Sequence, residues 1–499
     1  MRRLIPFILP LLAVATAGAA TPPRGSLHHK SSAGLKPVYL APDSSPRLQA
    51  TVNSGVLDPY AVLPLTESAL ASAGHAGWSA IGTDSQLVKL GWSEGLTVTQ
   101  TLPALNSPSA LAIGDLNGDA RPDLTALQRP ANRLAVASGA TDGSLLVPVQ
   151  RALAGDAEAL LAADLNADCL TDAAYTALDN TVDVLPQLGD RTLGAAKSAL
   201  FANGGATDLA TGDFNHDGQL DLAALRGTGN PANHVGLYTF AADTLISTGQ
   251  RRADDGGFAA HAVAAGDVTG DGRADLVVGA GGNHPDAYIN IFAQQPDGLL
   301  ASTPVTLTAW HIPESIAVAD LNHDGYNDVV ALHSGWLALT LYQGQADGTL
   351  APYEEYPLPY SAAYRPETLA LADLNGDGGL DVLIADGSRG ATYLLNSAGA
   401  PSATIDGPAP CARIVGSTLT LSGTLRNGDA VEISLDGGAT WNAATVSGAT
   451  WEYTADLGAR AIYKRVMARA LSGKRVQAPV AEQYLKIYNY QTFVPATQK

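Results

Sequence analysis

The chain is short of cysteine, phenylalanine and charge. Its 499 residues include two cysteines and seven phenylalanines, and only 15% of them are charged. So little cysteine excludes a small fold that is held together by disulfides. So little charge excludes a coiled coil or a disordered acidic chain. With 46% apolar residues and 52 glycines, the composition favours a folded protein of about two to four domains.

Basic residues are scarce as well. Lysine and arginine number 29 against 48 aspartates and glutamates, which gives a formal net charge of −19. Nucleic acids and anionic membranes bind basic patches, so neither is predicted as a partner. Beyond the N-terminus no segment reaches about 18 uninterrupted apolar residues, so membrane insertion is not predicted either.

The N-terminus has the features of a secretory signal peptide. Arg2 and Arg3 precede an apolar stretch from Leu4 to Val14, and small residues with A-x-A patterns follow. We therefore expect residues 1–20 to be a signal peptide. Residues 21–45 are rich in proline, serine and glycine and are predicted to be a flexible linker. The expected location is extracellular or at the cell surface, with the periplasm as an alternative.

One short segment recurs six times in the middle of the chain. The copies are DLNGDARPDL, DLNADCLTDA, DFNHDGQLDL, DVTGDGRADL, DLNHDGYNDV and DLNGDGGLDV, beginning at Asp115, Asp164, Asp213, Asp267, Asp320 and Asp373. We call the first nine residues of each copy loop 1 to loop 6. The starts lie 49, 49, 54, 53 and 53 residues apart. Such a period indicates one supersecondary unit repeated in tandem.

Each unit predicts four short antiparallel strands. An apolar run precedes the loop, a second follows it directly, and further runs follow a loop rich in glycine and asparagine and a turn such as Asp297-Gly298. About 50 residues per four-stranded sheet is typical of a β-propeller blade. A further unit at residues 78–102 lacks the aspartate loop. We expect seven blades over residues 46–402, with six or eight as alternatives, and a closing strand from residues 46–77.

The C-terminal part has another pattern. Residues 403–499 carry alternating strands without the aspartate motif, which suits an immunoglobulin-like β-sandwich, although other sandwiches fit too. The predicted fold class is thus all-β, a seven-bladed propeller followed by an Ig-like sandwich. The segment from Ser434 to Trp441 matches an Asp-box and is predicted to hold a hairpin turn.

The repeated loop has the chemistry of a calcium site. Carboxylates occupy positions 1, 5 and 9, an amide or hydroxyl occupies position 3, and position 7 offers a backbone carbonyl. Oxygen-only ligands on one tight loop suit Ca²⁺ better than Mg²⁺ or Zn²⁺. The predicted ligands are Asp115, Asn117, Asp119, Arg121, Asp123, Asp164, Asn166, Asp168, Leu170, Asp172, Asp213, Asn215, Asp217, Gln219, Asp221, Asp267, Thr269, Asp271, Arg273, Asp275, Asp320, Asn322, Asp324, Tyr326, Asp328, Asp373, Asn375, Asp377, Gly379 and Asp381. We expect up to six structural calcium ions.

Two other interpretations of the loop fit its residues less well. An EF-hand needs a glutamate at position 12, and no loop has an acid there. Aspartate and asparagine also form turns readily, but a turn needs no third carboxylate. Position 6 is glycine in loops 3 to 6, whereas Ala120 and Cys169 occupy it in loops 1 and 2. Whether those two loops bind calcium stays open, as does pairing of Cys169 with Cys411.

The repeats resemble the FG-GAP/VCBS family, the calcium-binding repeats of integrin α-chain propellers and of many secreted bacterial proteins. The segment ADLVVGAG from Ala274 is especially similar to the family pattern. The resemblance covers about 320 residues. It implies a seven-bladed propeller, calcium ligation by the loop aspartates and asparagines, and extracellular binding or adhesion. It implies no shared enzyme activity.

A ligand site is predicted on the face opposite the aspartate loops. Strands alternate in direction, so the other loops of each unit meet on that second face. Aromatic and polar residues there suit a glycan or protein ligand. The candidates are His234, His284, Trp310, His311, Trp336, Tyr364, Arg365 and Arg389.

Binding or adhesion by a monomer is the favoured function. A propeller lectin, a polysaccharide lyase or glycoside hydrolase, and a purely structural surface protein remain alternatives. No sequence motif of a catalytic nucleophile, zinc protease or P-loop occurs, so catalysis is not predicted. The aspartates at positions 1, 5 and 9 of the six loops supply eighteen of the 48 acids. The net negative charge therefore indicates cation sites and says little about the binding partner.

Overall fold

A computed structural model describes most of the chain beyond residue 34. Met1–Ser32 is a unit apart from Ala33–Lys499, and none of its residues is described, so the predicted signal peptide lies outside the described residues. The described residues are 35–38, 70–72, 79–82, 86–92, 96–103, 108–129, 131–177, 180–201, 205–227, 234–241, 243–253, 259–322, 324–333, 336, 338–358, 368–375, 379–386, 390–396, 401–409, 413–415, 418–436, 438–456, 462–472, 475–476 and 481–488.

The described residues form β-strands and no α-helix. Accordingly, none of the described elements is a helix of the length and apolar character that crossing a bilayer requires. The fold is all-β, as the sequence predicts.

Seven four-stranded antiparallel sheets occur in the described part of the repeats. We number them in chain order. Sheet 1 comprises β2 (Leu70–Ser72), β3 (Ser79–Gly82), β4 (Gln86–Trp92) and β5 (Leu96–Pro103). Sheet 2 comprises β6 (Pro108–Gly114), β7 (Asp123–Gln128), β8 (Arg133–Ala137) and β9 (Val149–Ala152). Sheet 3 comprises β10 (Ala157–Ala163), β11 (Asp172–Ala177), β12 (Thr181–Leu185) and β13 (Lys197–Leu200).

The other four sheets repeat this order. Sheet 4 comprises β14 (Asp208–Gly212), β15 (Asp221–Arg226), β16 (His234–Ala241) and β17 (Thr244–Arg252). Sheet 5 comprises β18 (Ala260–Gly266), β19 (Asp275–Gly281), β20 (Ala287–Phe292) and β21 (Val305–Thr308). Sheet 6 comprises β22 (Ser315–Ala319), β23 (Asp328–His333), β24 (Ala338–Tyr342) and β25 (Glu354–Pro357). Sheet 7 comprises β26 (Leu369–Ala372), β27 (Asp381–Asp386), β28 (Gly390–Asn396) and β1 (Leu35–Val38).

Sheet 7 is completed by the N-terminal strand, and this corrects a prediction. The order β1-β28-β27-β26 places β1 as its outer strand, with Leu35 opposite Asn396. The sequence interpretation placed the closing strand in residues 46–77 and treated residues 21–45 as linker. Leu35–Val38 pairs instead because β28 offers an open edge to any short extended segment. Residues 70–72 of the expected range form the first strand of sheet 1.

The first strands of the seven sheets form a closed cycle. Each contacts the first strand of the next sheet, and β26 contacts β2. Seven apolar clusters lie between consecutive sheets. The last of them packs Leu383 and Tyr393 of sheet 7 against Val88 and Leu90 of sheet 1. Every sheet thus buries both of its faces against neighbours, which is the packing of a β-propeller.

Burial changes across each sheet. The second strands β7, β11 and β23 are buried at every position, whereas the fourth strands β9 and β21 are mostly exposed. This explains why the second strands read as continuous apolar runs, because both of their faces are covered. It also places the first strands innermost and the fourth strands at the outer rim.

The C-terminal segment forms two further sheets. The first comprises β29 (Ser402–Ala403), β31 (Thr418–Arg426), β34 (Thr445–Ser447) and β35 (Thr450–Asp456). The second comprises β30 (Arg413–Val415), β32 (Ala430–Ser434), β33 (Asn442–Ala443), β36 (Ile462–Ser472), β37 (Arg475–Val476) and β38 (Ala481–Tyr488). One apolar cluster includes Leu421 and Trp451 from the first sheet and Ile433 and Val466 from the second. The two sheets therefore share a core, as in a β-sandwich.

Candidate functional site

The six aspartate loops each connect the first and second strands of a sheet, in sheets 2 to 7. In loops 1 to 5 the position-1 carboxylate accepts two backbone N–H bonds, from positions 5 and 6, at 2.7 to 3.1 Å. The position-5 carboxylate accepts the N–H of position 7 at 2.9 to 3.0 Å. These bonds wrap the backbone around the carboxylates.

The loop backbone is left-handed at two positions. Position 6 has a positive φ in loops 1 to 5, with 63° at Ala120 and 71° at Cys169 against 83° to 92° at the three glycines. Position 4 is left-handed too where it is described, with φ of 60° at His216. Ala120 and Cys169 thus adopt the left-handed backbone conformation that glycine takes in the other loops. Their Cβ atoms make this conformation less favourable.

The position-9 aspartate ties three parts of its sheet together. In all six loops one oxygen accepts the N–H of position 2, as in Asp328 with Leu321 at 2.9 Å. In five loops the other oxygen accepts an N–H at or just beyond the end of the third strand, as in Asp328 with Gly344 at 2.9 Å. All six side chains are buried. This aspartate therefore acts as a structural tie.

The side-chain oxygens at positions 1, 3 and 5 of the loops are of the type that binds a hard cation. Positions 1, 3 and 5 gather carboxylate and amide oxygens on one turn, and the buried Oδ1 of Asn117 has no hydrogen-bond partner. Among the described residues no group of three or more histidine, cysteine, aspartate or glutamate side chains is arranged to hold a metal ion. In loop 5, for example, the carboxylates at positions 1, 5 and 9 all accept backbone N–H bonds. A carboxylate oxygen has a second lone pair for a ligand, so the donor set fits Ca²⁺.

The loops concentrate negative charge in partly buried surroundings. Burial, together with the nearby carboxylates of Asp328 and Asp324, raises the pKa of Asp320 to about 8. Burial is also the largest cause that raises the pKa of Asp172 to about 7 and that of Asp123 to about 6. Carboxylates that resist ionisation beside one another are the groups that a bound cation stabilises.

Loops 1 and 4 differ from the others in holding an arginine at position 7. The guanidinium of Arg121 pairs with Asp119 and donates to the carbonyl of Gly139. Arg273 does the same with Asp271 and the carbonyl of Gln294. Each arginine neutralises part of the loop charge from within. The sequence interpretation used only the backbone carbonyls of these two residues and missed this pairing.

Two predicted features of the loops are described only in part. Asp377 of loop 6 lies outside the described residues, whereas Asp373, Asn375, Gly379 and Asp381 lie within them. Cys169 is disulfide-bonded. Cys411, with which the sequence analysis left pairing open, lies outside the described residues.

On the opposite face the structure brings four predicted ligand residues together. They come from the loop between β19 and β20, the connection from β21 to β22, and the loop between β23 and β24. The imidazole of His311 stacks on the indole of Trp336 with a centroid distance of 4.0 Å and an interplanar angle of 6°. Trp310 meets His311 edge-on at 5.2 Å, and His284 meets it edge-on at 6.4 Å. We call these four residues the ring cluster.

A buried histidine fixes the ring cluster to sheet 6. Nδ1 of His333 lies 3.0 Å from the carbonyl oxygen of His311, and Nε2 lies 2.8 Å from Oγ1 of Thr340. The two ring nitrogens thus bridge the connection and the strand, with Nδ1 as donor and Nε2 as acceptor. Burial lowers the pKa of His333 to about 4. No sequence motif singles out this histidine at the end of an apolar strand.

The other ligand-face candidates do not join the ring cluster within the described residues. His234 begins β16 and is buried, stacked on Phe201 at a centroid distance of 4.8 Å and an angle of 11°. The prediction that it faces a ligand is therefore wrong, because its ring fills space against Phe201. Tyr364, Arg365 and Arg389 lie outside the described residues.

Comparison with known proteins finds one family and several similar folds. The model of the FG-GAP-like repeat matches residues 164–224, 267–331 and 320–384. Each match begins at one aspartate loop and ends in the strand after the next loop. The search of curated proteins finds no match.

Three solved structures illustrate the structural similarity. A protein from Lactobacillus plantarum has 16% identity over 65% of this chain and 96% of its own, with a TM-score of 0.46. The periplasmic gluconolactonase PpgL of Pseudomonas aeruginosa has 15% identity over 65% and 95%, with a TM-score of 0.47. The WD40 domain of Toxoplasma gondii coronin has 13% identity over 67% and 83%, with a TM-score of 0.46.

Proposed function

Because residues 164–224 and 267–384 are FG-GAP-like repeats, we propose that the chain is a secreted binding or adhesion protein built on a seven-bladed propeller. Its blades are sheets 1 to 7, and its ring is closed by β1. The two C-terminal sheets form an Ig-like sandwich. Calcium ions in the aspartate loops stabilise the propeller, and the opposite face binds an extracellular glycan or protein.

The repeated hydrogen-bond scheme of the loops carries the calcium part of the proposal. A turn that served only to reverse the chain would need neither the carboxylate at position 5 nor the one at position 1 in every copy. Here both curl the backbone, while the position-9 aspartate is tied to the sheet. Positions 1, 3 and 5 would hold the ion with their side chains, and position 7 with its carbonyl. Bound calcium would neutralise charge at the loops and supply no chemistry beyond that.

The stabilisation expected from calcium is substantial. If each loop binds with a Kd of roughly 10⁻⁴ to 10⁻³ M, as extracellular modules do, millimolar calcium adds about 0.4 to 1.4 kcal/mol per site. Six sites would contribute about 2 to 8 kcal/mol, comparable with the whole free energy of unfolding of a typical domain. Calcium would then decide whether the propeller stays folded outside the cell.

The proposed stabilising role and the proposed recognition would use opposite ends of the strands. The aspartate loops lie at one end of the strands, and the ring cluster lies at the other. Loops on a rigid scaffold are the usual place for binding residues. Aromatic and polar side chains gathered on one face support binding of an extracellular ligand there.

A binding screen with and without calcium tests the proposal. The mature full-length chain is applied to a glycan array and to extracellular proteins in millimolar calcium and again in EDTA. We expect binding in calcium and weaker binding in EDTA. Binding in neither condition would overturn the recognition part. Mass spectrometry of the mature N-terminus after expression with the native leader would show cleavage near residues 17–20 if the chain is secreted as proposed.

A further inference from the structure

We propose that the ring cluster of His284, Trp310, His311 and Trp336 is a saccharide-binding site. This inference rests on the binding function proposed above and names its ligand class. It assigns the binding to one place on the propeller, the junction of sheets 5 and 6. A sugar ring would lie on the indole of Trp336, and its hydroxyl groups would accept hydrogen bonds from the surrounding ring N–H groups.

The indole of Trp336 is held in place on one face and is open on the other. His311 covers one face at 4.0 Å between centroids, in nearly parallel orientation. Even so, 41% of Trp336 is exposed to solvent. The exposed surface must therefore lie mainly on the other face and edge of the indole. Apolar faces of sugars pack against such rings, and a ring held in place loses little entropy on binding.

The cluster also offers hydrogen-bond donors that have no partner among the described residues. The indole Nε1 atoms of Trp310 and Trp336 donate to no other residue in the described part of the chain. Nδ1 of His311 accepts the backbone N–H of His284 at 3.2 Å, so the proton of the neutral ring lies on Nε2. Burial and the neighbouring His284 lower the pKa of His311, which keeps this ring neutral at pH 7. The cluster thus offers three N–H donors, one of them on the exposed indole of Trp336 itself.

The support beneath the cluster is rigid. His333 holds the carbonyls of His311 and Ile312 from within the core. At Gly279 on β19 a Cβ atom would lie 2.8 Å from the carbonyl oxygen of Pro313, so the connection packs directly on the strand backbone. A site of this kind is preorganised, because the connection does not need to be ordered by the ligand.

The chemistry favours a saccharide over other ligands. Four side chains on three loops are far fewer than the 20 to 30 residues that a stable protein interface uses on each side. A quaternary ammonium ion would use the aromatic face but has no acceptor for the three donors. The one acidic residue close by in the same loop as His284, Asp286, is exposed, which disfavours a strongly anionic ligand. A neutral polyol with an apolar face uses both the platform and the donors.

The test combines a glycan array with calorimetry on the full mature chain in millimolar calcium. Soluble oligosaccharides identified on the array are titrated against the wild type and three variants. Trp336→Ala removes the platform, and His311→Phe keeps the stacked ring but removes the Nε2 donor. Trp441→Ala is the matched control, because Trp441 lies in the C-terminal sandwich beneath the guanidinium of Arg469, at 4.0 Å. Unchanged melting temperatures show that the variants are folded.

We expect Trp336→Ala to weaken saccharide binding at least about tenfold, His311→Phe several-fold, and Trp441→Ala not at all. Saccharide binding that Trp336→Ala leaves intact would overturn the inference and leave the proposed binding function standing. Binding of a protein ligand alone would do the same. Absence of both saccharide and protein binding would overturn the inference and the recognition function together.

Discussion

The imidazole of His311 lies flat against the indole of Trp336, with 4.0 Å between the ring centroids and 6° between the planes. The two residues lie 25 positions apart in the sequence and belong to different loops of neighbouring sheets. The ring of His333 holds the carbonyl of His311 against sheet 6. The contact thus links the face opposite the aspartate loops to the core.

The titration of His311 should reflect this environment. Burial and the charge of a nearby His284 lower its pKa, so His311 is expected to titrate below the ordinary imidazole value of about 6.5. In His284→Asn the like charge is gone, and the pKa of His311 should rise. NMR titration of the imidazole resonances measures both. A higher pKa in the wild type than in His284→Asn would contradict the described packing.

His333 should make the propeller less stable in acid. Its pKa is lowered to about 4 in the folded state, against about 6.5 when unfolded. Between these values the unfolded chain binds the extra proton, so stability falls as the pH falls from about 6.5 to 4, by up to about 3 kcal/mol. His333→Gln should lose less stability over this range. Urea unfolding of both proteins at several pH values measures the difference, and identical pH dependence would refute the prediction.

Ala120 should carry backbone strain that a glycine relieves. Its φ of 63° is unfavourable for a residue with a Cβ atom. Ala120→Gly should therefore stabilise the chain by up to about 1 kcal/mol, net of the greater entropy of glycine in the unfolded state. Ala131→Gly is the control, since Ala131 is an exposed turn residue without a positive φ. Chemical denaturation should show stabilisation in the first variant and slight destabilisation in the second. Destabilisation of both would contradict the strain.

Positions 5 and 9 of one loop should respond differently to substitution. Asp328 is buried and tied to two backbone N–H groups, so Asp328→Asn should lower stability by about 2 to 3 kcal/mol even in EDTA. Asp324 is exposed, so Asp324→Asn should change stability little in EDTA. The same variant should lose about one site's share of the calcium stabilisation. Melting curves in EDTA and in calcium separate the two effects. Equal losses in EDTA would show that both aspartates are structural.

The sequence predicts the repeating part of this fold well. The six aspartate loops mark where first and second strands meet, and the FG-GAP-like repeats are confirmed by the family match. Apolar runs identify the second strands because these are buried on both faces. The repeat period and the local composition suffice to predict these features, because each of them recurs in several units.

Features that depend on single long-range contacts were not predictable. Nothing in the residues Leu35 to Val38 indicates that they pair with β28, because four extended residues carry little pattern. The burial of His234 depends on Phe201, which lies on another sheet. The tie from position 9 to the end of the third strand joins residues about 15 positions or more apart. Its partner varies between glycine, glutamine and asparagine and forms no motif.

We propose above all that calcium in the aspartate loops stabilises the propeller. The most direct measurement is the melting temperature of the mature chain in millimolar calcium and in EDTA, together with metal analysis of the purified protein. We expect bound calcium and a melting temperature lower in EDTA by roughly 3 to 12 °C. No bound calcium together with an unchanged melting temperature would contradict it.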